Sequence, residues 1–162
     1  MSTVYLGMGS NVDAEQHVRA GLAELRQQFG TIELSPVYRS QAVGFDGDDF
    51  LNLAVRIHTE LQPLQLKNWL NALEDRYGRL RNVAKFSDRT LDIDILLYDD
   101  LYIRLPELSL PRGEILHFAH VLKPMADLAP ELAHPVTGKT MAEHWAAFSG
   151  QRDGLEQCEF SG

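Results

Sequence analysis

Alternating apolar and polar positions predict several β-strands in this chain. The alternation is clearest in residues 50–57 and 90–98, and successive strand residues point to opposite faces, so each run has one mainly apolar face. Residues 4–8 are short and apolar and run into a Gly-Ser-Asn turn, which is typical of a buried strand. Further strands are predicted at 32–39 and, as a short return strand, at 101–103.

A helical spacing of apolar residues appears in two stretches between these strands. The first predicts a helix capped by Asp13 and ended by Gly30. The second predicts a helix that begins at Pro63, a residue suited to a first helical turn, and ends at Gly78. Two more helical stretches are expected at about 114–127 and at 141–148.

The order of these elements predicts the fold. Strand, helix, strand, strand, helix, strand is the order of two split βαβ halves, which form a ferredoxin-like βαββαβ core of the α+β class. The chain of 162 residues is about the length of one domain, so we expect a single domain over 1–150 and a loose polar tail over 151–162. The ten-residue loop at 40–49 is long enough to suggest a functional role.

Charge and composition disfavour several classes of binding partner and of covalent cross-link. Fifteen Lys and Arg against 23 Asp and Glu give a net charge of −8, which disfavours nucleic acid and anionic membranes as partners. The single cysteine excludes an internal disulfide. The N-terminus lacks the pattern of a signal peptide, and no run of about 18 apolar residues is present, so we expect a cytoplasmic protein. We also expect a monomer that acts on small molecules.

Two carboxylates in the predicted strand at 90–98 are the first candidates for chemistry. Asp92 and Asp94 stand two residues apart, so they share a face with Cα atoms roughly 6.5 to 7 Å apart. Carboxylates completed by phosphate oxygens are the ligands typical of Mg²⁺. The alternative is a solvated pair on a wet face of the sheet.

Basic residues just before this strand favour a phosphorylated ligand. Five of them fall within fourteen positions: Arg76, Arg79, Arg81, Lys85 and Arg89. Cations beside a metal-binding carboxylate pair suit a polyphosphate held between them. The alternative is a solvated loop whose surface ion pairs contribute little.

Motifs matching one enzyme family are spread from about residue 3 to residue 135. They are Gly9-Ser10-Asn11, Tyr38-Arg39, the run from Phe50 to Val55, Glu74 with Gly78-Arg79-Leu80-Arg81, the run from Arg89 to Ile95, Leu110-Pro111, and the run from Leu128 to Leu132. The chain thereby resembles the 6-hydroxymethyl-7,8-dihydropterin pyrophosphokinases of folate biosynthesis. The resemblance implies a three-layer α/β/α arrangement with a mainly antiparallel sheet. It also implies transfer of pyrophosphate from ATP to the pterin alcohol, which releases AMP and uses a pair of Mg²⁺ ions.

The resemblance further implies a role for individual residues. The catalytic group comprises Arg79, Lys85, Arg89, Asp92 and Asp94, and the last two hold the metal. The pterin would be bound by Ser40, Gln41, Val43, Phe50, Asn52 and His120. The nucleotide would be bound by Asn71, Glu74, Arg81, Ile95 and Arg112. An aromatic ring and an amide on one face of the strand at 50–57 also suit a flat heterocycle with polar edges.

The chain departs from the family pattern at several positions. Ser87-Asp88 replaces the usual Gly-Pro, Arg112-Gly113 replaces a His and often a Tyr, Phe118 replaces an Arg, and His120 replaces a stacking aromatic residue. These changes bear on ATP binding and turnover, whereas the metal ligands and the pterin edge contact match the family. Two alternatives stay open: a relative that binds a pterin, or acts on a related pterin, without this transfer, and a ferredoxin-like interaction domain.

Overall fold

A computed structural model describes residues 1–41, 47–78, 90–152 and 154–160 of the chain. Within these ranges the strands are β1 Ser2–Ser10, β2 Glu33–Leu34, β3 Val37–Ser40, β4 Phe50–Thr59, β5 Asp92–Tyr98, β6 Ile103–Arg104, β7 Ser109–Leu110 and β8 Glu156–Cys158. The helices are α1 Ala14–Phe29, α2 Pro63–Arg76, α3 Glu114–His117, α4 Ala119–Leu128 and α5 Met141–Ala146.

The main sheet confirms the predicted ferredoxin-like core. Its strands lie in the order β5-β1-β4-β3-β8, β2 also pairs with β4, and the ladders between these strands are antiparallel. The first four strands of this order are the four strands of two split βαβ halves, in which a neighbouring strand lies between the two that a helix connects. Strands β6 and β7 form a separate two-stranded ribbon.

Helices cover both faces of the sheet, as the three-layer expectation required. On one face α1 and α2 enclose the larger apolar core, which contains Leu22, Leu70 and alternate residues of β1, β4 and β5. On the other face α3, α4 and α5 form a smaller core around Tyr5, Ala54 and Leu96. The prediction that β4 has only one apolar face was therefore incomplete, since Ala54 is also buried, in the second core.

The limits of the two long helices agree with the sequence pattern, but the cap of the first does not. Gly30 and Gly78 follow α1 and α2 with positive φ angles of 78° and 86°, which favour glycine because it has no Cβ. Asp13 precedes α1 in a left-handed conformation, and its side chain caps no backbone N–H. The prediction of Asp13 as a side-chain cap was wrong, because capping requires an extended backbone at that residue.

Two predicted elements are each divided in the structure. The strand predicted at 32–39 is split into β2 and β3 around Ser35-Pro36, and proline has no N–H to donate to a ladder. The helix predicted at 114–127 is split into α3 and α4 because Phe118 has extended backbone angles, φ −126° and ψ 126°.

The C-terminal segment also differs from its prediction. We expected a loose polar tail, but β8 pairs with the edge strand β3, with Val37 opposite Cys158. Polar composition does not prevent pairing, because a ladder is formed by backbone groups that every residue except proline can offer. The short strand predicted at 101–103 is displaced to β6, and the last helix ends at Ala146 rather than at 148.

Candidate active site

A row of residues on three adjacent strands, β5, β1 and β4, carries the candidate site. In the strand register Gly9 lies between Asp92 of β5 and Asn52 of β4, and Gly7 lies beside Asp94. Adjacent strands are about 4.8 Å apart, so about 10 Å separates the backbones of Asp92 and Asn52. A Cβ atom on Gly9 would lie 3.3 Å from Oδ1 of Asn52. Gly9 therefore leaves the sheet surface between the carboxylate pair and the Asn52 amide free of side chains. This surface is the floor of the site.

The carboxylate pair occupies one end of this row. The side chain of Asp94 is 30% exposed, and burial, followed by the charge of Asp92, raises its pKa to about 7. Burial and the like charge of Asp92 both disfavour the ionised pair, and a divalent cation would offset that cost, so these two oxygen donors fit such a cation. The described ranges contain no group of three or more His, Cys, Asp or Glu side chains placed to hold a metal. Oxygens of water and of a phosphorylated ligand would suit the remaining coordination positions of such a cation.

A positive charge lies next to the pair. Arg112 Nη2 is 3.7 Å from Asp94 Oδ1, and Arg112 Nε donates to Glu114 Oε2 at 2.7 Å. Burial opposes the charge of Arg112, but Asp94 and Glu114 outweigh it and raise the pKa of the guanidinium. The structure thus brings Arg112, a predicted nucleotide-binding residue, to the carboxylates.

The amide side of the site is held by short polar contacts. Asn52 is 7% exposed, and its Nδ2 donates to Ser40 Oγ at 2.7 Å and to the carbonyl of Tyr38 at 3.4 Å. Ser40 also pairs in register with Phe50 across β3 and β4. Since Nδ2 is used to fix the side chain, the Asn52 amide is held in one orientation beside the floor.

Two rings at the start of α4 lie over the face of the sheet that carries the carboxylate pair. The rings of Phe118 and His120 have centroids 5.3 Å apart and an interplanar angle of 34°. Burial lowers the pKa of His120, while the nearby charges of Asp92 and Glu114 partly oppose that change. At neutral pH His120 is therefore mainly an uncharged flat ring, which suits stacking on a heterocycle.

Three predicted nucleotide-binding residues lie on the other side of the sheet. Glu74 of α2 is 2% exposed, and its Oε2 accepts the backbone N–H of Ile93 at 2.8 Å. Ile95 is buried in the core beneath α1 and α2, and Asn71 lies on α2. Glu74 therefore has a structural contact that the sequence did not suggest: it holds the backbone of β5 between the two aspartates.

Of the remaining predicted site residues, the structure describes only Gln41. Gln41 is exposed and lies beside Gly154, where a Cβ atom would be 3.7 Å from its Cδ. Five predicted site residues lie outside the described ranges: Val43, Arg79, Arg81, Lys85 and Arg89. The same holds for the departures at Ser87 and Asp88.

A polar link between β3 and α4 was missed by the sequence reasoning. The hydroxyl of Tyr38 donates to Asp127 Oδ2, and Lys123 Nζ is 2.8 Å from Asp127 Oδ1. Burial and the neighbouring carboxylate raise the pKa of Tyr38. The link ties the strand that carries Ser40 to the helix that carries His120. The separation of 89 residues between Tyr38 and Asp127 leaves no local signal for it.

The amino-acid sequence matches a known family and several relatives. The profile described as 7,8-dihydro-6-hydroxymethylpterin-pyrophosphokinase (HPPK) matches residues 5–130. The 2-amino-4-hydroxy-6-hydroxymethyldihydropteridine pyrophosphokinase of Pseudomonas aeruginosa is 36% identical over 148 residues, covering 89% of this chain and 90% of the relative. The enzyme of the same name from Aquifex aeolicus is 34% identical over 145 residues, covering 88% of this chain and 90% of the relative.

Solved structures support the fold. A Plasmodium falciparum HPPK-DHPS with pteroate matches with a TM-score of 0.71 at 15% identity over 91% of this chain, and an HPPK-DHPS in complex with substrates gives 0.72 at 11% identity over 91%. This chain spans only 42% and 45% of those two longer chains, and at such identity the likeness concerns the fold alone. On the evidence of the family profile and the close relatives, the chain belongs to the 7,8-dihydro-6-hydroxymethylpterin-pyrophosphokinase family.

Proposed function

We propose that this protein transfers pyrophosphate from Mg-ATP to 6-hydroxymethyl-7,8-dihydropterin, with Asp92 and Asp94 as the metal ligands. Family membership supports the reaction. The observation that carries the assignment of the site is the row Asp92–Gly9–Asn52, which sets a carboxylate pair and a fixed amide on one open stretch of sheet. A phosphate chain and a flat heterocycle could lie side by side across that floor.

The transfer exchanges one bond to phosphorus for another. The pterin hydroxymethyl oxygen forms a bond to the β-phosphorus, and the bond from that phosphorus to the oxygen it shares with the α-phosphate breaks. AMP leaves with the shared oxygen, and the proton of the alcohol passes to solvent. Mg²⁺ bound at the carboxylates would neutralise phosphate charge and ease loss of the alcohol proton. The contribution of the protein is to place the alcohol in line with the bond that breaks.

On the pterin side we assign positioning to the amide and the rings. Asn52, fixed by Ser40, presents its carbonyl oxygen to a donor on the edge of the heterocycle. Phe50 on the sheet and His120 on α4 would contact the two faces of the ring, since flat rings stack favourably. By resemblance we add Gln41, which directly follows β3, and Val43 to the proposed pterin site.

On the nucleotide side we assign phosphate binding to Arg112. Its guanidinium already faces the carboxylate pair, and arginine suits phosphate because its planar fork can make paired hydrogen bonds. By resemblance we add two groups of residues to this proposal. Arg79, Lys85 and Arg89 are proposed to act on the phosphates. Arg81 is proposed to bind the nucleotide, and Asn71, Glu74 and Ile95 are proposed to support that site from the α2 side of β5.

The proposal is tested by AMP release in the presence of Mg-ATP and 6-hydroxymethyl-7,8-dihydropterin. We expect AMP formation that requires the pterin, and a loss of at least about 100-fold in Asp94→Asn, because one metal ligand is removed. Asp100→Asn, an exposed carboxylate just after β5, is the matched control and should keep full activity.

Folded wild-type protein that binds the pterin but releases no AMP would instead support the pterin-binding alternative. Absence of both would favour an interaction domain.

We also propose that the protein acts as a monomer in the cytoplasm. In the described ranges, no helix combines the length and the apolar character needed to cross a membrane. Size-exclusion chromatography with light scattering measures the oligomeric state, and a mass near twice 18.3 kDa would contradict the monomer.

A further inference from the structure

Three contacts place Arg112 beside the carboxylate pair. Its backbone N–H donates to the carbonyl of Leu96 at 3.0 Å, at the point where the register between β1 and β5 shifts. Its Nε donates to Glu114 Oε2 at 2.7 Å, and its Nη2 lies 3.7 Å from Asp94 Oδ1. Because the guanidinium is planar, a bond at Nε also sets the direction of the two terminal nitrogens. The strand irregularity and Glu114 together aim the cation at Asp94.

The two ion pairs of Arg112 differ in kind. The contact with Glu114 has the length of a charge-assisted hydrogen bond, whereas 3.7 Å to Asp94 is too long for a hydrogen bond. The side chains of Arg112 and Asp94 are 31% and 30% exposed, so a ligand can reach both groups. Glu114 is thus the anchor, and the pair with Asp94 is the contact that can be exchanged.

We propose that Glu114 is a positioning residue. It orients Arg112 so that the guanidinium can move from one anion, Asp94, to another, a phosphate of the nucleotide. In the empty site Arg112 is the counterion of Asp94. When a divalent cation takes the carboxylates, like charges repel, and the guanidinium turns to a phosphate of the nucleotide while Glu114 keeps its Nε. This inference rests on the proposed function, because it takes Asp94 as a metal ligand and ATP as the bound nucleotide.

If Glu114 positions Arg112, removing Glu114 should change nucleotide affinity in the direction opposite to that expected from its charge alone. Removing the Glu114 carboxylate makes the site more positive, so electrostatic attraction alone would strengthen the binding of an anionic nucleotide. If Glu114 instead orients Arg112, its removal weakens that binding, because the guanidinium loses its preset direction. The sign of the change in affinity therefore distinguishes the two roles.

The first experiment measures binding rather than turnover. Isothermal titration with Mg²⁺ and the α,β-methylene analogue of ATP, in which the bond to be broken is replaced, gives a dissociation constant for each variant. We expect Glu114→Ala to raise it roughly tenfold. Glu107→Ala, an exposed carboxylate between β6 and β7, should leave it within about twofold. In an Arg112→Gln background, Glu114→Ala should not weaken analogue binding further, because there is no guanidinium left to orient.

The second experiment uses the metal alone. Electron paramagnetic resonance titration with Mn²⁺ at pH 8.5, without nucleotide, should show roughly tenfold tighter binding in Arg112→Gln, because a cation beside the carboxylates is removed. Arg19→Gln, an exposed charge change on α1, is the matched control and should match wild type.

Three results would overturn the proposal: tighter or unchanged analogue binding in Glu114→Ala, full additivity in the double variant, or Mn²⁺ binding that Arg112→Gln does not strengthen. Thermal unfolding confirms that each variant is folded. Neither titration depends on AMP release, so failure of the reaction and failure of the positioning role give separate results.

Discussion

The two faces of the sheet are made by the same strands but are filled differently. The face under α1 and α2 is closed, with large apolar side chains such as Leu6, Leu70 and Ile93 almost fully buried. The opposite face is closed beneath α3, α4 and α5, and beyond that core Gly9 leaves β1 without a side chain between Asp92 and Asn52. The candidate site therefore lies where the apolar core ends and a glycine takes the place of a core side chain.

A deletion in the closed face should have the largest effect on stability. Leu70→Ala removes most of a fully buried side chain from the core between α2 and the sheet, and should lower the free energy of unfolding by about 3 kcal/mol. Urea denaturation measures the change. Leu64→Ala, on the exposed side of the same helix, should change it by less than about 1 kcal/mol. Equal losses in the two variants would show that the contrast between packed and exposed positions is mistaken.

Filling the open floor should harm binding more than stability. Gly9→Ala places a methyl group 3.3 Å from Asn52 Oδ1, so the amide or the pterin has to shift, and we expect pterin affinity to fall about tenfold. Gly113→Ala has no atom within 4 Å of its new Cβ and is the control. Fluorescence titration with the pterin measures both. Unchanged affinity in Gly9→Ala would remove Gly9 from the proposed pterin site.

The smaller of the two predicted effects on stability concerns its pH dependence in metal-free protein. The folded-state pKa of Asp94 is raised from 3.8 to about 7, so between these values the folded state holds a proton that the unfolded state has lost. The full shift corresponds to about 3 kcal/mol between pH 4 and pH 7. Because the side chain is 30% exposed and partly screened by solvent, we expect the free energy of unfolding of wild type to fall by about 2 kcal/mol over this range, relative to that of Asp94→Asn. Urea denaturation in EDTA across this range measures it, and a difference that stays constant with pH would contradict the raised pKa.

The sequence was most informative where one local rule decided the structure. Alternation predicted the strands β4 and β5, and Gly30 and Gly78, which have positive φ, mark where α1 and α2 have ended. The interruption at Pro36, the break at Phe118 and the pairing of β8 were not predicted. In the first two, a single residue overrode the periodicity of its neighbours. In the third, a partner strand more than 110 residues away provided the hydrogen bonds.

The candidate site, like the fold, was predicted only in part from the sequence. The motif around Asp92 and Asp94 predicted two carboxylates on one face, and the register of β5 against β1 confirms that they share it. The sequence did not suggest that Glu74 binds the strand from behind or that Glu114 anchors Arg112, because both contacts depend on how elements pack. Glu74 in particular was assigned to the nucleotide from the motif, whereas its buried contact lies on the α2 side of the sheet.

By itself the sequence determined the order of the elements, the ferredoxin-like class, the family and the pair of acidic residues, because periodicity and motif spacing are local properties of the chain. Tertiary structure alone decided that Gly9 separates Asp92 from Asn52, that Tyr38 reaches Asp127, and that Arg112 faces Asp94. These are relations between residues far apart in the chain. They become fixed only when strand register and helix packing are fixed, since a shift of one residue would turn each side chain to the other face.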